Sequence, residues 1–122
     1  MLKILKDVHQ CGVLHRDLKP HNICFKLKKE SQIQSVHLID YGLSKVFRES
    51  SNGGEHIEFK KSNFMVGSIR YCSLNSHRGY ELSRRDDLES LGYNIIYLLK
   101  GTLPWQNNGI DEDSIELVRK ST

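Results

Sequence analysis

The run from Ser83 to Leu99 constrains this chain more than any other stretch. Leu88, Leu91, Ile95, Ile96, Leu98 and Leu99, with Tyr93 and Tyr97, set apolar side chains on nearly every side of one helix. A helix that is apolar all round offers no face to solvent, so it is expected at the centre of a domain larger than this one. Its ends are well marked. Ser83 with Asp86 reads as the N-terminal cap, and Gly101 followed by Pro104 as the stop. A length of 122 residues allows at most one domain with a moderate core.

Bulk properties exclude several classes. The net charge of +3 is mild and no basic stripe interleaves with aromatics, so nucleic acid is not an expected partner. Lys26, Lys28 and Lys29 cluster, but such a run reads as a solvated hairpin. Cys11, Cys24 and Cys72 are odd in number and lack C-x-x-C spacing. Neither a disulfide framework nor a zinc site follows, and a reducing compartment is the simplest expectation. No apolar run approaches a membrane span and the first residues lack a signal-peptide design. A cytoplasmic or nuclear chain without a membrane partner is expected.

The other elements can be read in order. Leu2, Leu5 and Val8, with Ile4 four residues before Val8, predict an amphipathic helix over 1–10, with Gly12 at its C-cap. Val13-Leu14 is a short buried strand, and Pro20 is expected to hold the following loop non-helical. Ile23-Cys24-Phe25 and Val36 to Ile39 are two further short strands around a polar connection from Lys26 to Gln34. That hairpin brings Asn22 and Asp40 to one end. Residues 48–63 hold Ser50, Ser51, Asn52, Gly53 and Gly54 and little that is apolar, which predicts a mobile loop. Its serines read as ordinary solvated residues, with phosphorylation the alternative. A last amphipathic helix is predicted over 114–120, from Ile115, Leu117 and Val118.

The chemistry is concentrated in His15-Arg16-Asp17-Leu18-Lys19-Pro20-His21-Asn22. A carboxylate such as Asp17 can take a proton from a hydroxyl, and the Asn22 amide oxygen can hold a magnesium ion. The stretch resembles the catalytic loop of protein kinases, H-R-D-L-x-x-x-N, at every fixed position. Asp40-Tyr41-Gly42 stands where that family has D-F-G. A bare three-residue match is common in surface loops, whereas the two together in this order are specific.

One branch is resembled in particular, the casein kinase 1 family. The carrying residues run from Gly67-Ser68-Ile69-Arg70-Tyr71-Cys72-Ser73-Leu74-Asn75-Ser76-His77 through Ser83-Arg84-Arg85-Asp86-Asp87-Leu88-Glu89-Ser90-Leu91-Gly92-Tyr93 to Leu103-Pro104-Trp105-Gln106. They are similar to that family's G-T-A-R-Y-A-S-I-N-T-H, S-R-R-D-D-L-E-S-L-G-Y and L-P-W-Q segments, and like that family the chain lacks A-P-E.

The resemblance implies an α+β, mainly α, partial kinase-like fold over residues 1–122: catalytic loop, magnesium loop, activation segment and central helix of the large lobe. It implies ATP and Mg²⁺ as cofactors. Asp17 would accept the proton of a Ser or Thr hydroxyl, Lys19 would steady the transferred phosphoryl group, and Asn22 and Asp40 would hold magnesium. Ser68 would bridge Asp17 and Lys19 in place of a threonine. His15, Arg16 and Asp87 would support the catalytic loop, Asp87 by accepting backbone N–H groups from it. Arg70, helped by Gln106, would bind a phosphate or acidic group on the substrate, so the expected partners are proteins with Ser or Thr near acidic or phosphorylated residues.

His21 stands where that family often has Asp, without decisive consequence, and two other departures bear on the chemistry. Tyr41 replaces the usual Phe, which adds a hydroxyl needing a partner if buried. The 122 residues contain no G-x-G-x-x-G loop, strand lysine or partner glutamate for the nucleotide. The expected reading is therefore a fragment, the catalytic-loop portion of a kinase with little activity by itself. The alternative is a non-catalytic binding module acting through Arg70 and the helix beginning at Ser114.

Overall fold

The computed structural model describes residues 1–28, 32–48 and 54–106. In chain order they form α1 (Leu2–Gln10), β1 (Val13–Leu14), a 3-10 turn (Pro20–Asn22), β2 (Ile23–Leu27), β3 (Ile33–Leu38), β4 (Lys45–Val46), α2 (Leu74–His77) and α3 (Arg84–Lys100). Two small antiparallel sheets result, β1 with β4 and β2 with β3. Helices carry more of the described residues than strands, as the sequence suggests.

A compact apolar cluster joins the elements. Leu5 of α1, Leu18 of the loop, Ile23 and Leu38 of the hairpin and Leu91 of α3 are all buried together, with Met1, Ile4 and Val36 against them. Full burial of such a side chain contributes about 1.5–3 kcal/mol. The loop after β1 is thus held from beneath through Leu18, only 2% exposed.

Several expectations are corrected. Pro20 does not keep its loop free of helix: it opens the 3-10 turn, with Asn22 N–H donating to Lys19 O at 3.0 Å. A first-turn proline loses no hydrogen bond and its φ is already helical. The hairpin is longer than its apolar residues indicate, because β2 extends to Leu27 and β3 starts at Ile33, while Ile39 lies beyond the strand. Backbone ladders continue through the exposed Lys26 and the half-buried Ser35. The pairing of β1 with β4, Val13 opposite Val46, has no counterpart in the sequence reading. Within 48–63, the described residues are tied by bridges from Arg48 to His56 and from Lys61 to Tyr80. Ser50, Ser51 and the predicted 114–120 helix lie outside the described residues.

The largest correction concerns α3. Its boundaries are as expected: Asp86 Oδ2 accepts the Ser83 N–H at 2.7 Å, and Gly101 ends the helix in the left-handed region. Its buried face, however, is mostly polar, with Asp86, Asp87, Ser90 and Asn94 beside Leu91. Leu98 and Leu99 remain 59% and 80% exposed. Most of its aliphatic side chains are exposed, while those four polar ones are buried. No described helix is long and apolar enough to cross a membrane.

Candidate active site

The loop between β1 and the 3-10 turn is fixed to α3 at two points. Asp87 accepts the His15 N–H on Oδ2 and the Arg16 N–H on Oδ1, both at 2.9 Å. Two turns further along, the Asn94 amide donates to Leu18 O at 3.0 Å and to Ser90 O at 2.7 Å. Asp17 therefore sits between two anchors on one rigid helix. Asp87 is 2% exposed and Asn94 fully buried, so water does not compete for these bonds.

The loop also braces itself. The fully buried His15 takes the Asp17 N–H on Nδ1 at 3.3 Å, and its Nε2–H donates to Ile39 O at 3.0 Å. This pair of partners selects the tautomer. The Asn22 amide donates to Asp17 O at 2.9 Å, so its nitrogen end holds the loop. The Arg16 backbone has a φ of +66°, and its Nε–H donates to Leu43 O at 2.6 Å. Burial pulls the Arg16 guanidinium below its usual range, against the opposing charges of Glu81 and Asp87.

Around the Asp17 carboxylate the side chains converge. Ser68 donates to Oδ1 twice, from its N–H and its hydroxyl, each at 2.8 Å. Lys19 Nζ lies 3.1 Å from Asp17 Oδ2 and donates to Ser68 Oγ at 3.1 Å. Burial pushes the Asp17 carboxyl up as the largest single effect. The Ser68 hydroxyl, the Lys19 ammonium and the Ser68 N–H together outweigh it and hold Asp17 below the usual carboxylate range. The result is an ionised, oriented carboxylate with a cation beside it.

Asp40 reaches the same neighbourhood by the hairpin. Ile23 pairs with Leu38, and Ile39 N–H donates to Asn22 O at 2.9 Å, which sets the two loop ends side by side. Asp40 has a φ of +61° and accepts the Gly42 N–H on Oδ1 at 3.2 Å. A neutral amide oxygen and an exposed carboxylate suit a hard divalent cation that completes its shell with phosphate and water oxygens. The described residues contain no cluster of three His, Cys, Asp or Glu side chains able to hold a metal alone. Tyr41 is 42% exposed, and its ring meets the His15 imidazole edge-on at 4.9 Å.

Arg70 and Gln106 meet elsewhere, lining one cavity of about 380 Å³ with Ile69, Cys72, Tyr93 and Trp105. Trp105 Nε1–H donates to Arg70 O at 2.9 Å, which joins the two segments. Gln106 Oε1 accepts the Leu103 N–H. Burial pushes the Cys72 thiol up to about 11, and Cys72 is a neutral thiol at ordinary pH.

Two residues of this arrangement went unpredicted. His9 Nε2–H donates to Asp87 Oδ2 at 2.7 Å, extending the clamp to α1. Its position four residues after the buried Leu5, on the same helix face, was the available signal. Asn94 was likewise marked, as a polar residue seven positions after Asp87 inside an apolar run. A family model described as a protein kinase domain matches residues 1–121.

Proposed function

The chain belongs to the protein kinase domain family, and from that premise we propose that it carries the phosphoryl-transfer site of a casein kinase 1-like serine/threonine kinase. In this reading residues 1–122 make up the large-lobe portion of the domain. The single observation that carries the proposal is the contact of Asp17, Lys19 and Ser68 within about hydrogen-bond distance.

Each residue then has a task. Asp17 accepts a hydrogen bond from the substrate hydroxyl and orients it. Because its carboxyl is held low, it takes the proton late, once the forming phosphoester makes that proton acidic. Lys19 offsets negative charge on the phosphoryl oxygens, and Ser68 keeps acid and cation in register. Phosphoryl transfer proceeds through a loose transition state, so positioning and charge account for most of the rate. Asn22 and Asp40 would hold Mg²⁺, which when bound neutralises phosphate charge. A lysine two residues after the aspartate supports Ser/Thr over Tyr as acceptor. Arg70 supplies paired donors for an acidic or phosphorylated residue of the substrate.

The intact Asp17, Lys19, Asn22 and Asp40 set weighs against a purely non-catalytic module. Little turnover is expected from the chain alone, whose sequence has no G-x-G-x-x-G loop to cover ATP. The test joins residues 1–122 in frame behind the small lobe of a serine/threonine kinase and supplies Mg-ATP and casein. Phosphoserine or phosphothreonine is expected, falling about 10²–10⁴-fold with Asp17→Asn. A phosphotyrosine product, or transfer indifferent to Asp17→Asn, would contradict the proposal.

A further inference from the structure

A second concave surface lies between α1 and the start of α3, a cavity of about 680 Å³. Its floor is apolar, from Leu5 and the 65% and 47% exposed Leu2 and Leu88. Its rim carries Lys6, Arg48 and Arg84, and among the described residues no lining side chain is acidic. Among the described residues no carboxylate pairs with the two guanidiniums: Arg48 and Arg84 lie 5.8 and 5.3 Å from the Phe47 ring centroid, over a side chain that is 1% exposed. Among the described residues the ion pairs are His9–Asp87, Lys19–Asp17 and Lys45–Glu81, and none uses these three cations.

Cations positioned by an aromatic ring and not neutralised locally keep their charge for a ligand. We infer that this groove docks an acidic protein segment bearing apolar side chains, separately from the phosphoacceptor site. Two features favour a peptide. The exposed leucines need apolar anchors, which a nucleic-acid backbone does not bring. The concave floor accepts protruding side chains, whereas a membrane surface meets a convex or flat one. His9 also lines the groove, and its Nε2–H is the one bonded to Asp87. An occupied groove therefore touches a residue that reaches the backbone of His15 and Arg16 through one carboxylate.

The test uses the full 122-residue chain and a fluorescein-labelled glutamate-rich peptide with leucines one helical turn apart. Anisotropy should report saturable binding that weakens as salt is raised. Lys6→Glu with Arg84→Glu should weaken it about tenfold, as reversal of facing charges does. Lys6 is exposed on α1, so Lys6→Glu alone keeps the fold and should weaken binding several-fold. In ¹H–¹⁵N spectra the peptide should shift the amides of Leu2, Lys6, Arg84 and Leu88. Unchanged affinity in both variants, or shifts confined to other residues, would overturn the inference. So would an all-glutamate peptide binding as tightly as the leucine-bearing one, or phosphatidylserine vesicles binding more tightly than the peptide.

Discussion

Gly67 has a φ of +95°, and a Cβ built there would lie 2.5 Å from Arg16 O. Both the backbone angle and the approach exclude a side chain. The glycine therefore lets the segment carrying Ser68 come close enough for its N–H and hydroxyl to reach Asp17. Gly67→Ala is expected to cost on the order of 2 kcal/mol in urea unfolding, from strain and displacement. A loss within ~0.5 kcal/mol would show that the close approach is not required. At this scale the sequence was informative where motif and contact coincide: the Ser68 bridge was implied by resemblance, and the geometry holds both of its bonds. It was silent on the positive φ of Arg16, 66°, a residue type that rarely adopts it, and on that of Asp40, 61°, although Asp visits this region more readily.

Among the elements, α3 does the most positioning, through polar side chains in an apolar sequence. Asp87 holds two backbone N–H groups and the His9 ring, while Asn94 holds the far end of the same loop. Among the described residues Asn94 Oδ1 has no hydrogen-bond partner and is buried, a cost the helix carries alongside that contact. Asp87→Ala leaves the His15 and Arg16 amides without their acceptor. A destabilisation on the order of 3 kcal/mol is expected, since each orphaned buried donor costs about 1–3 kcal/mol. Amide hydrogen exchange at His15 and Arg16 should speed up in the same variant. Unaltered exchange there would mean that Asp87 does not hold the loop.

The boundaries of α3 were legible from Ser83, Asp86 and Gly101, because caps are local. Its buried face was not. Periodicity counts apolar residues and assumes that they are the ones inside, but here Asp86 is engaged by Ser73 Oγ at 2.8 Å and by Asn75 Nδ2 at 2.9 Å, partners 13 and 11 residues away. The pairing of β1 with β4 escaped for the same reason, since two-residue strands have no period to detect.

Over the whole molecule, the site is an assembly of segments far apart in sequence. Ser68 lies 51 residues from Asp17, and Asp87 lies 72 from His15. Such contacts exist only in the folded chain, so the state of Asp17 reports on all of them together. The sign of its effect on stability follows from the lowered pKa. The stabilising bonds to ionised Asp17 are fully present above the ordinary carboxylate value of 3.8 and are lost as pH falls through the lower folded value. Removing the Ser68 hydroxyl raises the folded value, so Ser68→Ala should lose stability at neutral pH and move the acid limb of unfolding upward. Ser68→Thr keeps a hydroxyl and should restore both.

The most direct measurement is therefore the ¹³C NMR titration of the Asp17 carboxyl in the wild-type chain, Ser68→Ala and Ser68→Thr. Asp17 is expected to titrate below 3.8 in the wild-type chain, at a higher value in Ser68→Ala, and to recover in Ser68→Thr. An Asp17 that titrates as an ordinary carboxylate in all three would contradict this.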